Sequence, residues 1–60
     1  MTNTNYEVQV KVNGGEYTVF TFKKWTDAKN TFEFYGKDKE LFNLEEVLFI
    51  DYVDERLAVA

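Results

Sequence analysis

Tyr6-Glu-Val-Gln-Val-Lys-Val12 alternates apolar and polar residues without a break and runs directly into Asn13-Gly14-Gly15. Successive side chains of a strand point to opposite faces, so the alternation predicts a strand with Tyr6, Val8, Val10 and Val12 on one buried face. Asn13-Gly14-Gly15 reverses the chain. Glu16-Tyr-Thr-Val-Phe-Thr-Phe22, rich in β-branched and aromatic residues, then forms the returning strand of a hairpin. Register matters here, because a slip of one residue exchanges the two faces. A three-residue loop sets Val12 opposite Glu16, Val10 opposite Thr18, Val8 opposite Phe20 and Tyr6 opposite Phe22, which gathers both phenylalanines on the valine face. A two-residue Asn13-Gly14 turn would place the two rings beside Glu7 and Gln9. The three-residue loop is the expected one.

Lys23-Lys24 closes the hairpin, and Trp25 leads into a stretch with helix punctuation. Thr26 is the expected N-cap, Asp27 sets negative charge at the positive end of the helix dipole, and Gly36 is the expected stop. Ala28, Phe32 and Tyr35 stand at i, i+4 and i+7 and share one face, with Asp27, Lys29, Asn30 and Glu33 over much of the rest. Phe34 falls about 200° of helical rotation from Phe32. It should be exposed, either as part of an interface or because the helix ends early.

The polar run Lys37-Asp38-Lys39-Glu40 is followed by Leu41-Phe-Asn-Leu-Glu-Glu46, a short turn or helical bend. Val47-Leu-Phe-Ile-Asp-Tyr-Val53 fits a buried strand or a buried helix by period alone, and its β-branched and aromatic residues select a strand. Apolar on both faces, such a strand needs a cover on each side. The helix supplies one cover. A second subunit is the expected other, with Val47, Phe49 and Val53 as the dimer interface. Asp54-Glu55 either turns the chain into a short final strand, Leu57-Ala-Val-Ala60, or leads into a plain tail. The fold class expected is α+β: a ββαβ chain forming a three-stranded antiparallel sheet with one helix packed on it, as a single domain over residues 1–60.

A sixty-residue chain buries only ~60% of the surface it exposes when unfolded, and such domains usually need a disulfide, a metal or oligomerisation. There is no Cys or His, so neither a disulfide nor a zinc site is available. Aromatic residues make up 18% of the chain, more than so small a core can cover, and aromatics are enriched at interfaces. A homodimer is expected on both grounds, with a compact, ring-rich monomer as the alternative. No apolar segment approaches the ~20 residues of a membrane span, and the first residues lack the pattern of a signal peptide, so a cytoplasmic protein is expected.

Net charge is −4, which opposes binding to a nucleic-acid backbone. The charge is uneven: residues 1–39 carry six Lys against five acids, whereas Glu40, Glu45, Glu46, Asp51, Asp54 and Glu55 face Arg56 alone in the last third. An acidic end of this kind either docks a basic protein surface or keeps a small protein soluble.

With no His, Cys or Ser, the common nucleophile and base constellations cannot be assembled, and a domain this small offers little room for a working carboxylate pair in a pocket. No catalytic residue, cofactor or metal is expected. Asp51-Tyr-Val-Asp54-Glu55 lacks the spacing and the central Gly of an EF-hand loop. Asn13-Gly14-Gly15 joins two strands and does not open a helix, so it is a turn and not a phosphate cradle. Lys23, Lys24, Trp25 and Lys29 beside Phe20 and Phe22 are too few, in too acidic a chain, to indicate a single-strand binder. Surplus rings among carboxylates, without catalytic groups, point to a protein that binds another protein, with rings as anchors.

The order hairpin, helix, strand, together with Phe32-Glu-Phe-Tyr-Gly36, resembles the small dimeric inhibitors of uracil-DNA glycosylase that bacteriophages encode. The resemblance spans roughly residues 16–53. In that family a Phe-Glu pair in the helix is followed shortly by Tyr-Gly. Two helices of the dimer form an apolar cleft that grips the bulky apolar residue the glycosylase pushes into DNA, and acidic groups stand in for phosphates. Phe32 and Tyr35 are three positions apart here, one fewer than in the family pattern, a spacing that still keeps both on one helix face. The resemblance implies that Phe32 and Tyr35 line the cleft and that Glu33 bonds to the enzyme's DNA-binding loop; Phe34 joins them as a partner-binding residue. It implies a DNA-mimic inhibitor acting in the host cytoplasm on uracil-DNA glycosylase. The alternatives are an inhibitor of another host nucleic-acid enzyme, such as a CRISPR nuclease or polymerase, and a small structural or assembly protein of a phage.

Overall fold

The computed structural model describes residues 4–60. The chain runs β1 (Tyr6–Val12), β2 (Tyr17–Phe22), α1 (Trp25–Lys37), β3 (Leu44–Asp51) and β4 (Arg56–Val59). The strands form a four-stranded sheet in the order β2-β1-β3-β4, with every pair antiparallel, and α1 lies on one face of it. The fold is the expected α+β, and of the two courses left open for the last residues the chain takes the short final strand, β4.

The hairpin has the register that the valine face requires. Tyr6 pairs with Phe22, Val8 with Phe20 and Val10 with Thr18. Gly14 takes φ +72, a left-handed conformation that glycine adopts without steric cost, and Gly15 N–H donates to Val12 O at 2.8 Å. Asn13 fastens the turn to the loop before β3: its N–H donates to Asn43 O and its Nδ2 to Asn43 Oδ1, both at 3.0 Å.

Both expected ends of the helix are corrected. The helix begins at Trp25, the extended Lys24 precedes it, and no side chain caps its N-terminus. Thr26 already lies inside the first turn, too far along to cap it. Gly36 is an interior residue without the left-handed conformation of a helix stop, and the chain leaves the helix at Asp38, φ −141 and ψ 59. The loop behind it closes through Leu44 N–H donating to Lys39 O at 2.8 Å.

Pairing with β1 fixes which face of β3 is buried. Val8 lies opposite Phe49 and Val10 opposite Val47, so these side chains point toward the helix, whereas Leu48 and Ile50 point away. The core is Val8, Val10, Ala28, Leu44, Val47 and Phe49, ringed by half-buried Tyr6, Phe20, Phe22, Phe32, Tyr35 and Phe42. Val47 is 0% and Phe49 8% exposed. A side chain enclosed by its own chain has no surface to offer a second subunit, so these two are core residues and not the dimer contacts expected of them. Val53, beyond the end of β3 in the β3–β4 turn, is exposed.

Candidate protein-docking surface

The helix packs on β1, β2 and β3 and does not reach β4. This offset leaves a groove on each flank of α1 and sorts the aromatic residues of the helix between them. On the β2 flank, Phe20, Phe22, Thr31, Phe34 and Tyr35 line a cleft of ≈ 480 Å³. On the β4 flank, Phe32 and Phe49 form the floor of a cleft of ≈ 380 Å³ that is rimmed by Trp25, Lys29, Glu33, Asp54 and Arg56.

The four residues expected to bind a partner are therefore not one patch. Phe32 is half-buried and meets Phe49 edge-on, with centroids 5.6 Å apart. Tyr35 is also half-buried but lies on the other flank, stacked on Phe20 at 5.7 Å with the planes 18° apart. Glu33 is exposed beside Phe32. Phe34 is 60% exposed, and its position is set by an edge-on contact with Tyr35 and a tilted one with Phe42, both at 5.2 Å. Because α1 continues to Lys37, an early helix end does not account for its exposure.

Phe20, Tyr35, Phe42 and Phe34 thus form a chain of touching rings along the β2 flank, with Tyr35 5.1 Å from Phe42. Inner members rest on the core and the outermost reaches solvent. Rings packed in this way lose little freedom on binding, which suits them to anchor an apolar side chain of another molecule. The helix period locates Phe34 and Tyr35, but Phe42 was missed as a member of the group. It lies in the loop after the helix, and no spacing rule connects it to residue 34.

The β4 flank is more polar. Lys29 Nζ sits 4.9 Å above the Trp25 ring, a cation–π contact. Asp51, the buried acid at the end of this groove, accepts hydrogen bonds at Oδ1 from the amides of Val53 at 2.9 Å and Asp54 at 3.0 Å. Its carboxylate therefore builds the turn between β3 and β4. Among the described residues, no three acidic side chains stand close enough together to hold a metal ion, and no helix is long and apolar enough to cross a membrane.

Two tyrosines on the face opposite the helix hold their protons more tightly than an ordinary tyrosine does. Tyr17 donates its hydroxyl proton to Glu46 Oε1 at 2.7 Å, and this bond, with lesser help from desolvation and the charges of Glu46 and Glu45, raises its pKa above the usual value. Desolvation, then Glu7, raises that of Tyr52.

No protein-family model, no characterised protein and no solved structure matches the chain.

Proposed function

We propose that this chain is a stoichiometric protein inhibitor that docks on a nucleic-acid enzyme of a host cell, with uracil-DNA glycosylase as the target. The observation that carries the reading is Phe34, the outermost ring of the β2-flank cleft, held in solvent by Tyr35 and Phe42. The cleft takes an apolar side chain of the enzyme, with Phe34 and Tyr35 as its walls. Glu33, on the neighbouring flank, supplies a carboxylate where DNA would present a phosphate, in keeping with a net charge of −4. The target comes from the resemblance of Phe32-Glu-Phe-Tyr-Gly36 to the phage inhibitors, and an inhibitor of this kind works in the host cytoplasm. The cleft is built within one chain, so it does not depend on a second helix.

Uracil excision by a purified bacterial glycosylase tests the reading when followed against increasing inhibitor. Excision should fall to zero near one equivalent of binding sites; unchanged excision at large excess would refute the target. Loss of excision activity only at concentrations that also coat unrelated basic proteins would reduce the reading to charge alone.

A further inference from the structure

Asp51 is the only buried ionisable side chain among the described residues, 6% exposed at the end of the β4-flank groove. Its two oxygens are used unequally. Oδ1 accepts both turn amides, from Val53 and Asp54, whereas Oδ2 accepts no hydrogen bond and opens to the groove. Asparagine would serve the turn as well, since such a turn needs one side-chain oxygen and no charge. A carboxylate in a buried position costs stability unless a cation pairs with it. No cation of the described residues does so. Arg56 lies opposite Asp51 in the β3–β4 register, yet the one ion pair among these residues is Lys11–Glu45. The groove above Asp51 is walled by rings. Phe32 and Phe49 form its floor and Trp25 a side, and its ≈ 380 Å³ lies in the range of small-ligand pockets. The face of an aromatic ring attracts a cation, and Lys29 Nζ already lies 4.9 Å from the Trp25 centroid. Glu33, Asp51 and Asp54 stand against Lys29 and Arg56, three charges against two, so the groove is one cation short of neutral.

We infer that this groove takes the guanidinium of an arginine side chain presented by the partner protein, stacked on the rings and donating an N–H to Asp51 Oδ2. A guanidinium suits the groove better than an ammonium. It is planar, weakly hydrated and stacks on aromatic faces, so it loses little on leaving water. Exposed Glu33 and Asp54 at the rim are open to its other N–H groups. The source of the arginine rests on the proposed docking to a nucleic-acid enzyme, whose nucleic-acid surface is rich in Arg and Lys. The guanidinium site itself rests on the groove alone. It gives α1 a second anchor point of opposite character: the Phe34 cleft on one flank takes an apolar side chain, and the Asp51 groove on the other takes a cation.

N-acetyl-arginine amide, titrated into the isotope-labelled native chain at constant ionic strength, reads the groove by NMR without any enzyme. The Trp25 indole and Asp51 amide resonances should shift saturably, with affinity in the millimolar range. N-acetyl-citrulline amide, alike in shape but uncharged, should not bind. Asp51→Asn keeps an oxygen for the turn and removes the charge, and it should weaken arginine binding by about 10-fold or more. Arg56→Gln removes a competing cation and should strengthen binding by about 2-fold or more. The absence of a saturable shift in the native chain would overturn the inference, as would equal binding of citrulline or unchanged binding by Asp51→Asn. So would saturation by N-acetyl-glutamate amide in place of arginine, which assigns the groove to anions through Lys29 and Arg56. Should Asp51→Asn fail to fold, Trp25→Leu decides: it should weaken arginine binding by about 3-fold or more, and unchanged binding refutes the stacked guanidinium. In calorimetry against a glycosylase that binds the native chain, Asp51→Asn should bind about 10-fold more weakly; equal affinity would refute that enzyme as the source of the arginine. If the native chain binds no glycosylase, the proposed target falls and with it that source, while the arginine titration still decides the groove.

Discussion

Gly36 faces Ala60 so closely that a Cβ on the glycine would stand 2.7 Å from the Ala60 Cβ. Ala60 is held there by its N–H, which donates to Val47 O at 2.9 Å, and by its carbonyl, which accepts from Lys39 Nζ at 2.8 Å. The missing side chain therefore lets the end of the chain close against the helix. In an open helix Gly→Ala would stabilise by up to about 1 kcal/mol. Here Gly36→Ala should destabilise by about 1 kcal/mol, because helix and chain end must separate. Urea unfolding checks the sign; a stabilised variant would show that Ala60 moves aside freely.

Phe49 and Phe34 separate core from surface. Phe49→Ala should cost about 3 kcal/mol or more, enough to unfold a domain of marginal stability, whereas Phe34→Ala should change stability by less than about 0.5 kcal/mol. Thermal unfolding of both variants checks this, and equal losses would mean that Phe34 supports the fold.

Gly14 holds the hairpin turn at φ +72. Gly14→Ala should cost about 1 kcal/mol, since an L-residue is strained in this region. Two-dimensional NMR should show the strand register unchanged in the variant. A variant of unchanged stability would contradict the left-handed turn.

The Tyr17–Glu46 hydrogen bond makes stability depend on alkaline pH. The folded state holds the Tyr17 proton more tightly than the unfolded chain does. Its contribution is therefore complete below the ordinary tyrosine range near 10 and disappears as pH rises through the higher folded-state value. Glu46→Gln should bring the titration of Tyr17 down toward the ordinary value. Ultraviolet phenolate titration, with Tyr17→Phe to identify the transition, checks it; an unchanged curve would rule out the bond in solution.

The hairpin and its register were readable because the valine alternation and Asn13-Gly14-Gly15 agree on one pairing, the observed one. The face of β3 was not readable. Val47-Leu-Phe-Ile50 is apolar on both parities, so only the pairing of Val10 with Val47 decides that Val47 and Phe49 turn inward and Leu48 and Ile50 outward. The helix ends were misjudged because Thr26 and Gly36 are common capping residues whose use depends on contacts elsewhere. Gly36 answers to Ala60, twenty-four positions further along the chain. The exposure of Phe34 followed from helical rotation. The division of Phe32 and Tyr35 between two flanks did not, because it depends on where α1 crosses the sheet.

The Phe34 cleft is the proposed contact with a glycosylase. Calorimetric titration of purified uracil-DNA glycosylase with the native chain and with Phe34→Ala, after both are shown to be folded, tests it most directly. The native chain should bind saturably, and Phe34→Ala should bind at least about 10-fold more weakly, a loss of about 1.4 kcal/mol. No binding by the native chain, or equal affinity for the two proteins, would contradict it.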